Sequence, residues 1–257
     1  MPQLVEIFHS IQGEGVFVGV PTIFVRFGGC DLRCAWCDSP ETWTVRPECR
    51  SEVESGTGEF VSVLNPVTVD WIEERVRALA GPATPAVSLT GGEPLLQAEA
   101  VAELAARLRR AGHAIHLETH GLAVEALDGV LPHCDAVAMD WKLTSDVRRE
   151  SDPRGTPAAP FDEAHVRFLA RVAKSDAAVF VKIVVTASTT QAELEKAARL
   201  VGEAAPGTAL VLQPVTPFAS VREGPRVPEL LAAALACQRW LADVRVIPQT
   251  HRLYGAL

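Results

Sequence analysis

Short apolar runs rich in β-branched residues alternate along this chain with stretches whose apolar positions recur every three to four residues. The first kind reads as buried strand and the second as amphipathic helix. Strands are predicted over residues 22–27, 86–90, 114–119, 136–140, 179–185, 209–213 and 244–247, and helices over 68–80, 98–111, 162–173, 190–204 and 228–241. Thr190 and Glu193 have the spacing of a capping box, and Gly112 and Gly207 stand where helices should stop. Strand–helix alternation implies a parallel sheet covered by helices. With about seven such units, an α/β fold closed as a partial or complete (β/α) barrel is the natural arrangement. Two stretches break the rhythm. Residues 44–65 are rich in Glu, Ser and Gly and read as an insertion, and 151–160 is a Pro/Gly-rich connection. No internal repeat is present, so residues 1–257 read as a single domain carrying that insertion.

Composition narrows the classes of partner. Hydrophobic residues make up 48% of the chain, ample for a core. A formal net charge of −8 argues against a broad nucleic-acid footprint. No apolar run reaches the ~20 residues of a membrane span, and MPQLVEIFHS lacks the pattern of a signal peptide. A cytosolic setting is therefore expected, in which thiols stay reduced and clustered cysteines are more often metal ligands than disulfides. Cys134 and Cys237 lie in apolar stretches and read as small buried hydrophobes.

Cys30, Cys34 and Cys37 form C-x3-C-x2-C in the run FGGCDLRCAWCDS. Three thiolates on one loop can converge on a soft metal centre. A complete tetra-iron site normally takes four, so one iron would be left open to a ligand. Three ligands of a structural zinc site is the alternative, although no second Cys/His pair of finger spacing follows. Polar residues also gather where predicted strands end: Arg26, Thr90-Gly91-Gly92-Glu93-Pro94, Glu118-Thr119-His120-Gly121, Asp140-Trp141-Lys142, Lys182 and Gln213-Pro214. In a parallel barrel these ends share the face that carries active sites.

The cysteine loop, with Trp36 before its last Cys, and the later Gly91-Gly92-Glu93-Pro94 resemble the signatures of radical S-adenosylmethionine enzymes. The resemblance implies a [4Fe–4S] cluster on the three cysteines, S-adenosylmethionine on the open iron, and backbone of the Gly-Gly turn meeting the methionine amine. Two glycines permit close approach of the main chain, and Glu93 adds an acceptor. Glu118, Asp140, Lys142 and Gln213 are expected to contact the ribose or carboxylate of the same cofactor, with strand-end caps as the plainer alternative.

Further motifs narrow the resemblance. Residues 6–15 (EIFHSIQGEG), 24–27 (FVRF), Cys37-Asp38-Ser39, 90–97 (TGGEPLLQ) and 248–251 (PQTH) together resemble the 7-carboxy-7-deazaguanine synthase family. The likeness runs from about residue 6 to the end of the chain, excluding the insertion. It implies a small-molecule substrate, 6-carboxy-5,6,7,8-tetrahydropterin, held by Gln12, Gly13, Glu14, Arg26, Thr90 and His251. Arg26 would grip the carboxylate, because a guanidinium fork matches it. An ion pair with an acidic neighbour is the other reading of Arg26. The family commonly has Thr where Ser39 stands, and its hydroxyl ligates Mg²⁺. Ser keeps the oxygen that this hard ion needs. His120 stands where Asn is commoner.

A homodimer and a flavodoxin- or ferredoxin-like electron donor are also implied by resemblance. Two rivals remain at this point. A glycyl-radical-enzyme activase would leave Gln12, Glu14, Arg26 and His251 without a role. A non-catalytic iron–sulfur or zinc protein would leave the polar strand ends unexplained. Cys49, within the insertion, is expected not to be a ligand.

Overall fold

The computed structural model describes residues 1–153, 155–218 and 221–255, so Arg154 of the 151–160 connection lies outside the described residues. Its strands are β1 (Leu4–Ile11), β2 (Pro21–Phe27), β3 (Leu32–Cys34), β4 (Glu48–Glu52), β5 (Phe60–Leu64), β6 (Ala86–Gly91), β7 (Ile115–Thr119), β8 (Ala136–Asp140), β9 (Val147–Arg149), β10 (Ala178–Val185), β11 (Ala209–Pro214) and β12 (Val244–Val246). The helices are α1 (Val69–Ala80), α2 (Ala98–Arg110), α3 (Leu127–Val130), α4 (Asp162–Val172), α5 (Gln191–Ala204), α6 (Val227–Cys237) and α7 (His251–Tyr254). Thr68 caps α1 by accepting from the Trp71 amide, and the Thr190–Glu193 capping box opens α5 as expected.

One sheet carries ten strands in the order β12-β11-β10-β8-β7-β6-β2-β1-β4-β5. From β2 to β12 every pairing is parallel, so this part is the expected barrel wall. Because β12 and β5 are free edges, the barrel is open. Helices α1 and α2, α4 and α5, and α5 and α6 pack side by side.

The period-two alternation of strand side chains builds both the core and the lumen. Val25 and Phe27 on β2, Val87 and Leu89 on β6, Ile115 and Leu117 on β7, Val137 and Met139 on β8, and Val181 and Ile183 on β10 join the apolar core. The intervening Arg26, Thr90, His116, Glu118, Ala138, Asp140 and Lys182 line the opposite, concave face. These polar strand residues face the lumen because their neighbours along each strand belong to the core.

The structure corrects the reading of two segments. Residues 44–65 are not irregular loop throughout: β4 and β5 form a hairpin, and β4 extends the sheet by pairing parallel to β1. The Glu52 carboxylate accepts from the amides of His9 (2.8 Å) and Gly58 (2.9 Å), tying the hairpin to β1 across its turn. Strand β1 itself, read in the sequence only as a motif, pairs antiparallel with β2. The predicted helix over 228–241 ends earlier, at Cys237, where the chain turns toward β12.

Candidate active site

The concave face encloses a cavity of about 480 Å³ whose lining includes Cys30, Cys34 and Cys37. Their loop is fastened from beneath. Strand β3 pairs antiparallel with β9, and Leu32, Val147 and Phe161 form a small apolar cluster against which Cys30, Cys34 and Trp36 pack. Burial pushes the thiol of Cys30 up to about 11 and that of Cys34 to about 12, with the Lys142 ammonium pulling the other way. Burial raises Cys37 as well. Neutral thiols in this setting would become ligands by releasing their protons to solvent as the metal binds the thiolates. Among the described residues, no three His, Cys, Asp or Glu side chains already stand in ligating geometry. Cys49 is elsewhere: it is 1% exposed in β4, within the main core.

The turn after β6 packs against the cysteine loop. A Cβ on Gly91, whose φ is +141°, would meet Phe27 O at 2.1 Å, and one on Gly92 would meet Gly29 O at 2.3 Å and Cys30 Cβ at 2.9 Å. Glycine is thus required at both positions by the chain's own backbone, at the end of β2 and at the start of the cysteine loop. The amides of Gly92 and Glu93 donate to Phe27 O (3.1 Å) and Gly29 O (2.9 Å). What this turn can offer an ammonium is carbonyl oxygen.

Glu93 differs from expectation. Its side chain is fully buried and accepts from Leu95 N, Thr119 Oγ1 and His120 N at 2.8–3.0 Å. It holds the β6 and β7 ends together and does not line the cavity. His120 closes the same cluster by bonding Asp31 of the cysteine loop through Nε2 (2.9 Å). Glu93→Gln would aim a donor at groups that are themselves donors. The expected result is a loss of about 1–3 kcal/mol of stability, read as a lowered midpoint in thermal unfolding.

Gln12 and Glu118, assigned by sequence to different ligands, bond each other. Gln12 Nε2 donates to Glu118 (2.8 Å), which also accepts from Ser88 Oγ (2.7 Å) and Thr90 Oγ1 (2.9 Å). Gln12 Oε1 accepts from the Glu14 amide (3.0 Å). Glu118 thereby anchors the 12–17 segment to β6 and β7 while remaining on the cavity wall.

A line of alternating charges crosses the floor. Glu14 pairs with Lys182, Lys182 with Asp140 (3.2 Å), and Asp140 with Lys142 (2.8 Å), which lies 4.6 Å over the Trp36 ring. Burial alone would push Asp140 up, but Lys142 and Lys182 pull it down to about 2. Its contribution to stability is therefore fully present above the ordinary value of 3.8 and is lost as pH falls through about 2. Burial would likewise raise Glu14, but Lys182 and the Gln249 amide hold it below its usual range.

Lys182 and Gln249 were not assigned roles from sequence. Gln249 Nε2 reaches Glu14 (2.7 Å) and Asp38 (2.8 Å), and the Thr250 amide donates to Gly13 O (2.8 Å). The PQTH run thus closes on the segment that opens the chain. Gly13 must be glycine here, since a Cβ would meet His251 Nδ1 at 2.3 Å. His251 lines the cavity, and burial lowers its pKa.

Arg26 makes the ion pair that sequence offered as an alternative: Nε donates to Glu6 Oε1 (2.9 Å). Arg26 also lines the cavity, and its two terminal nitrogens have no bond to another described residue. Ser39 lines the wall beside Cys37, with its hydroxyl donating to an Asp38 oxygen at 3.3 Å. Gln213 lines the cavity at 3% exposure, and its Oε1 has no partner among the described residues, which leaves a buried acceptor unsatisfied. Three thiols, a carbonyl-bearing turn and this orphaned acceptor on one cavity fit a cluster with S-adenosylmethionine.

The family model of the radical SAM superfamily matches residues 24–201. The 7-carboxy-7-deazaguanine synthase of Geobacter sulfurreducens is 36% identical, over 99% of this chain and 98% of its own. That of Methanopyrus kandleri is also 36% identical, over 96% and 91%. The crystal structure of QueE from Escherichia coli, 22% identical, superposes with a TM-score of 0.62, covering 97% of this chain and 94% of that one, and shows the same fold. No helix among the described residues is long and apolar enough to cross a membrane.

Proposed function

Because the chain belongs to the radical S-adenosylmethionine superfamily and, within it, to the 7-carboxy-7-deazaguanine synthases, we propose the following division of labour in its cavity. The enzyme contracts the ring of 6-carboxy-5,6,7,8-tetrahydropterin to 7-carboxy-7-deazaguanine with loss of ammonia, a step of 7-deazapurine biosynthesis. The observation that carries the assignment of roles is one cavity lined both by the three loop cysteines and by Gln12, Glu14, Arg26, Thr90 and His251.

Cys30, Cys34 and Cys37 hold the cluster. Carbonyls of the Gly91-Gly92 turn, Gln213, Asp140 and Lys142 receive the polar groups of S-adenosylmethionine. When bound, these two groups supply a carbon radical that takes hydrogen from the substrate. The remaining work belongs to side chains. The ionised Glu14 accepts from the amide and amine edge of the pterin, and Arg26 takes the carboxylate with the nitrogens that Glu6 leaves free. Glu118 acts indirectly, by fixing Gln12 and Thr90.

Magnesium, a homodimer and an external flavodoxin- or ferredoxin-like reductant complete this reading. The exposed stripe Val227, Leu231 and Leu235 on α6 supports the dimer. Anaerobic incubation of the reconstituted enzyme with reductant, S-adenosylmethionine and the pterin should yield the deazaguanine and 5′-deoxyadenosine together. Deoxyadenosine without any deazaguanine would favour the activase alternative.

The magnesium assignment makes its own prediction. Ser39→Ala removes one oxygen ligand while substrate and water supply others, so the defect should be partial and relieved by excess Mg²⁺. Ser39→Thr should be near neutral. Ser39→Cys should be worse than Thr, because sulfur suits magnesium poorly. The measurement is deazaguanine formation against Mg²⁺ concentration; a Ser39→Ala curve that overlays the parent at every point would remove Ser39 from the site.

A further inference from the structure

Lys182 is a buried cation with no role in the reading above. It stands on β10 directly beside Asp140 of β8, in parallel register, and its side chain is 12% exposed on the cavity floor. Its other partner, Glu14, belongs to no strand. Glu14 precedes a single 3-10 turn (Gly15–Phe17) that it does not cap, and its carboxylate reaches inward instead. One oxygen accepts from Lys182 and the other from Gln249. Each oxygen of a carboxylate has a further acceptor site. Together these sites match two adjacent N–H donors on a flat heterocycle.

We propose that Lys182 is the positioning residue for substrate recognition: it fixes the Glu14 carboxylate to the barrel wall, ionised and oriented, so that both oxygens face the pterin's N–H edge. This rests on the reading of Glu14 as a substrate contact. Burying an ammonium is costly unless it is paired, and here it is paired on both sides, by Glu14 and Asp140. Asp140 has a second cation in Lys142, whereas Glu14 makes no second salt bridge among the described residues. Loss of Lys182 would thus leave Asp140 paired and free Glu14 to swing or take up a proton. Specificity follows as well, since a protonated carboxyl would present a donor to the N–H edge and a turned carboxylate would withdraw an acceptor from it.

The test is a double-mutant cycle read by substrate binding. Calorimetry would measure the dissociation constant of the tetrahydropterin on the holoenzyme with S-adenosylmethionine present and no reductant. The proteins are the parent, Lys182→Met, Lys182→Arg, Glu14→Gln and the two double variants. Lys182→Met should weaken binding about tenfold, and Lys182→Arg by less, because it keeps the charge but shifts the donor. On the Glu14→Gln background neither change should weaken binding further. A purely structural Lys182 would lose the same factor on both backgrounds, and that result overturns the proposal. If Lys182→Met does not fold, the Arg pair completes the cycle. Parent-like binding by Glu14→Gln alone would instead remove Glu14 as a substrate contact, and the proposal with it.

Discussion

Replacing any one of Cys30, Cys34 or Cys37 by serine is expected to abolish both cluster retention and deoxyadenosine formation, while Cys49→Ser leaves both intact. The three loop thiols line one cavity, and the other three cysteines are each buried in the main core. A lost ligand therefore has no substitute in reach. Serine keeps the shape, but it places a hard, weakly acidic oxygen where iron and sulfide favour thiolate. Two thiolates cannot hold a tetra-iron cluster and also leave one iron open. Cys49 sits on β4, which is separated from β2 and the cysteine loop by β1. Its replacement adds a hydroxyl to an apolar site, so the expected cost is in stability alone. Iron and sulfide content, visible absorption and deoxyadenosine yield are the measurements. Loss of the cluster in Cys49→Ser, or its survival in any loop variant, would sink the three-ligand assignment.

The sequence made the parallel wall legible because β2, β6, β7, β8, β10 and β11 are each buried on the core side by apolar residues that need no distant partner. It concealed β1 and the β4–β5 hairpin for a different reason. In β1, Glu6, His9 and Ser10 interrupt the apolar pattern; Glu6 lines the cavity wall, and the His9 amide donates to Glu52 of the hairpin. In 44–65, polar residues dominate because the hairpin lies at the edge of the sheet, with Val61 and Leu64 half-exposed or more. Edge strands of this kind lack the alternation that marks a buried one.

The site shows the same division. Cysteine spacing and glycine pairs are local, so their meaning survives in the sequence. Side-chain partnerships across the chain are not local: the Lys182–Glu14 ion pair spans 168 residues, and the Gln249–Glu14 hydrogen bond spans 235. No periodicity links such positions. Glu93 is the instructive reversal, since its place in a recognisable motif suggested a ligand contact. Three donors, Leu95 of its own turn, Thr119 at the end of β7 and His120 just after it, already occupy its carboxylate. The motif's glutamate builds the platform on which the turn's carbonyls are presented.

Arg26→Gln is expected to weaken binding of the carboxylated pterin by about a hundredfold or more while uncoupled cleavage of S-adenosylmethionine persists. Glu6 holds Nε and so fixes the plane of the guanidinium, while Phe8 lies under it with its centroid 5.7 Å from Cζ. The terminal nitrogens are then presented as a preoriented fork to a carboxylate in the cavity. Gln removes the charge and the fork. Lys keeps the charge, but its single ammonium cannot satisfy Glu6 and the substrate in the same bidentate geometry, so Arg26→Lys should recover only part of the loss. Glu6 retains Arg50 as a second partner, which lets the fold tolerate either change. A substrate analogue lacking the carboxylate separates the roles: it should bind parent and variant alike. Arg26→Lys turning over the carboxylated pterin at the parent's rate and affinity would mean that another residue holds the carboxylate, and that Arg26 serves only its pair with Glu6.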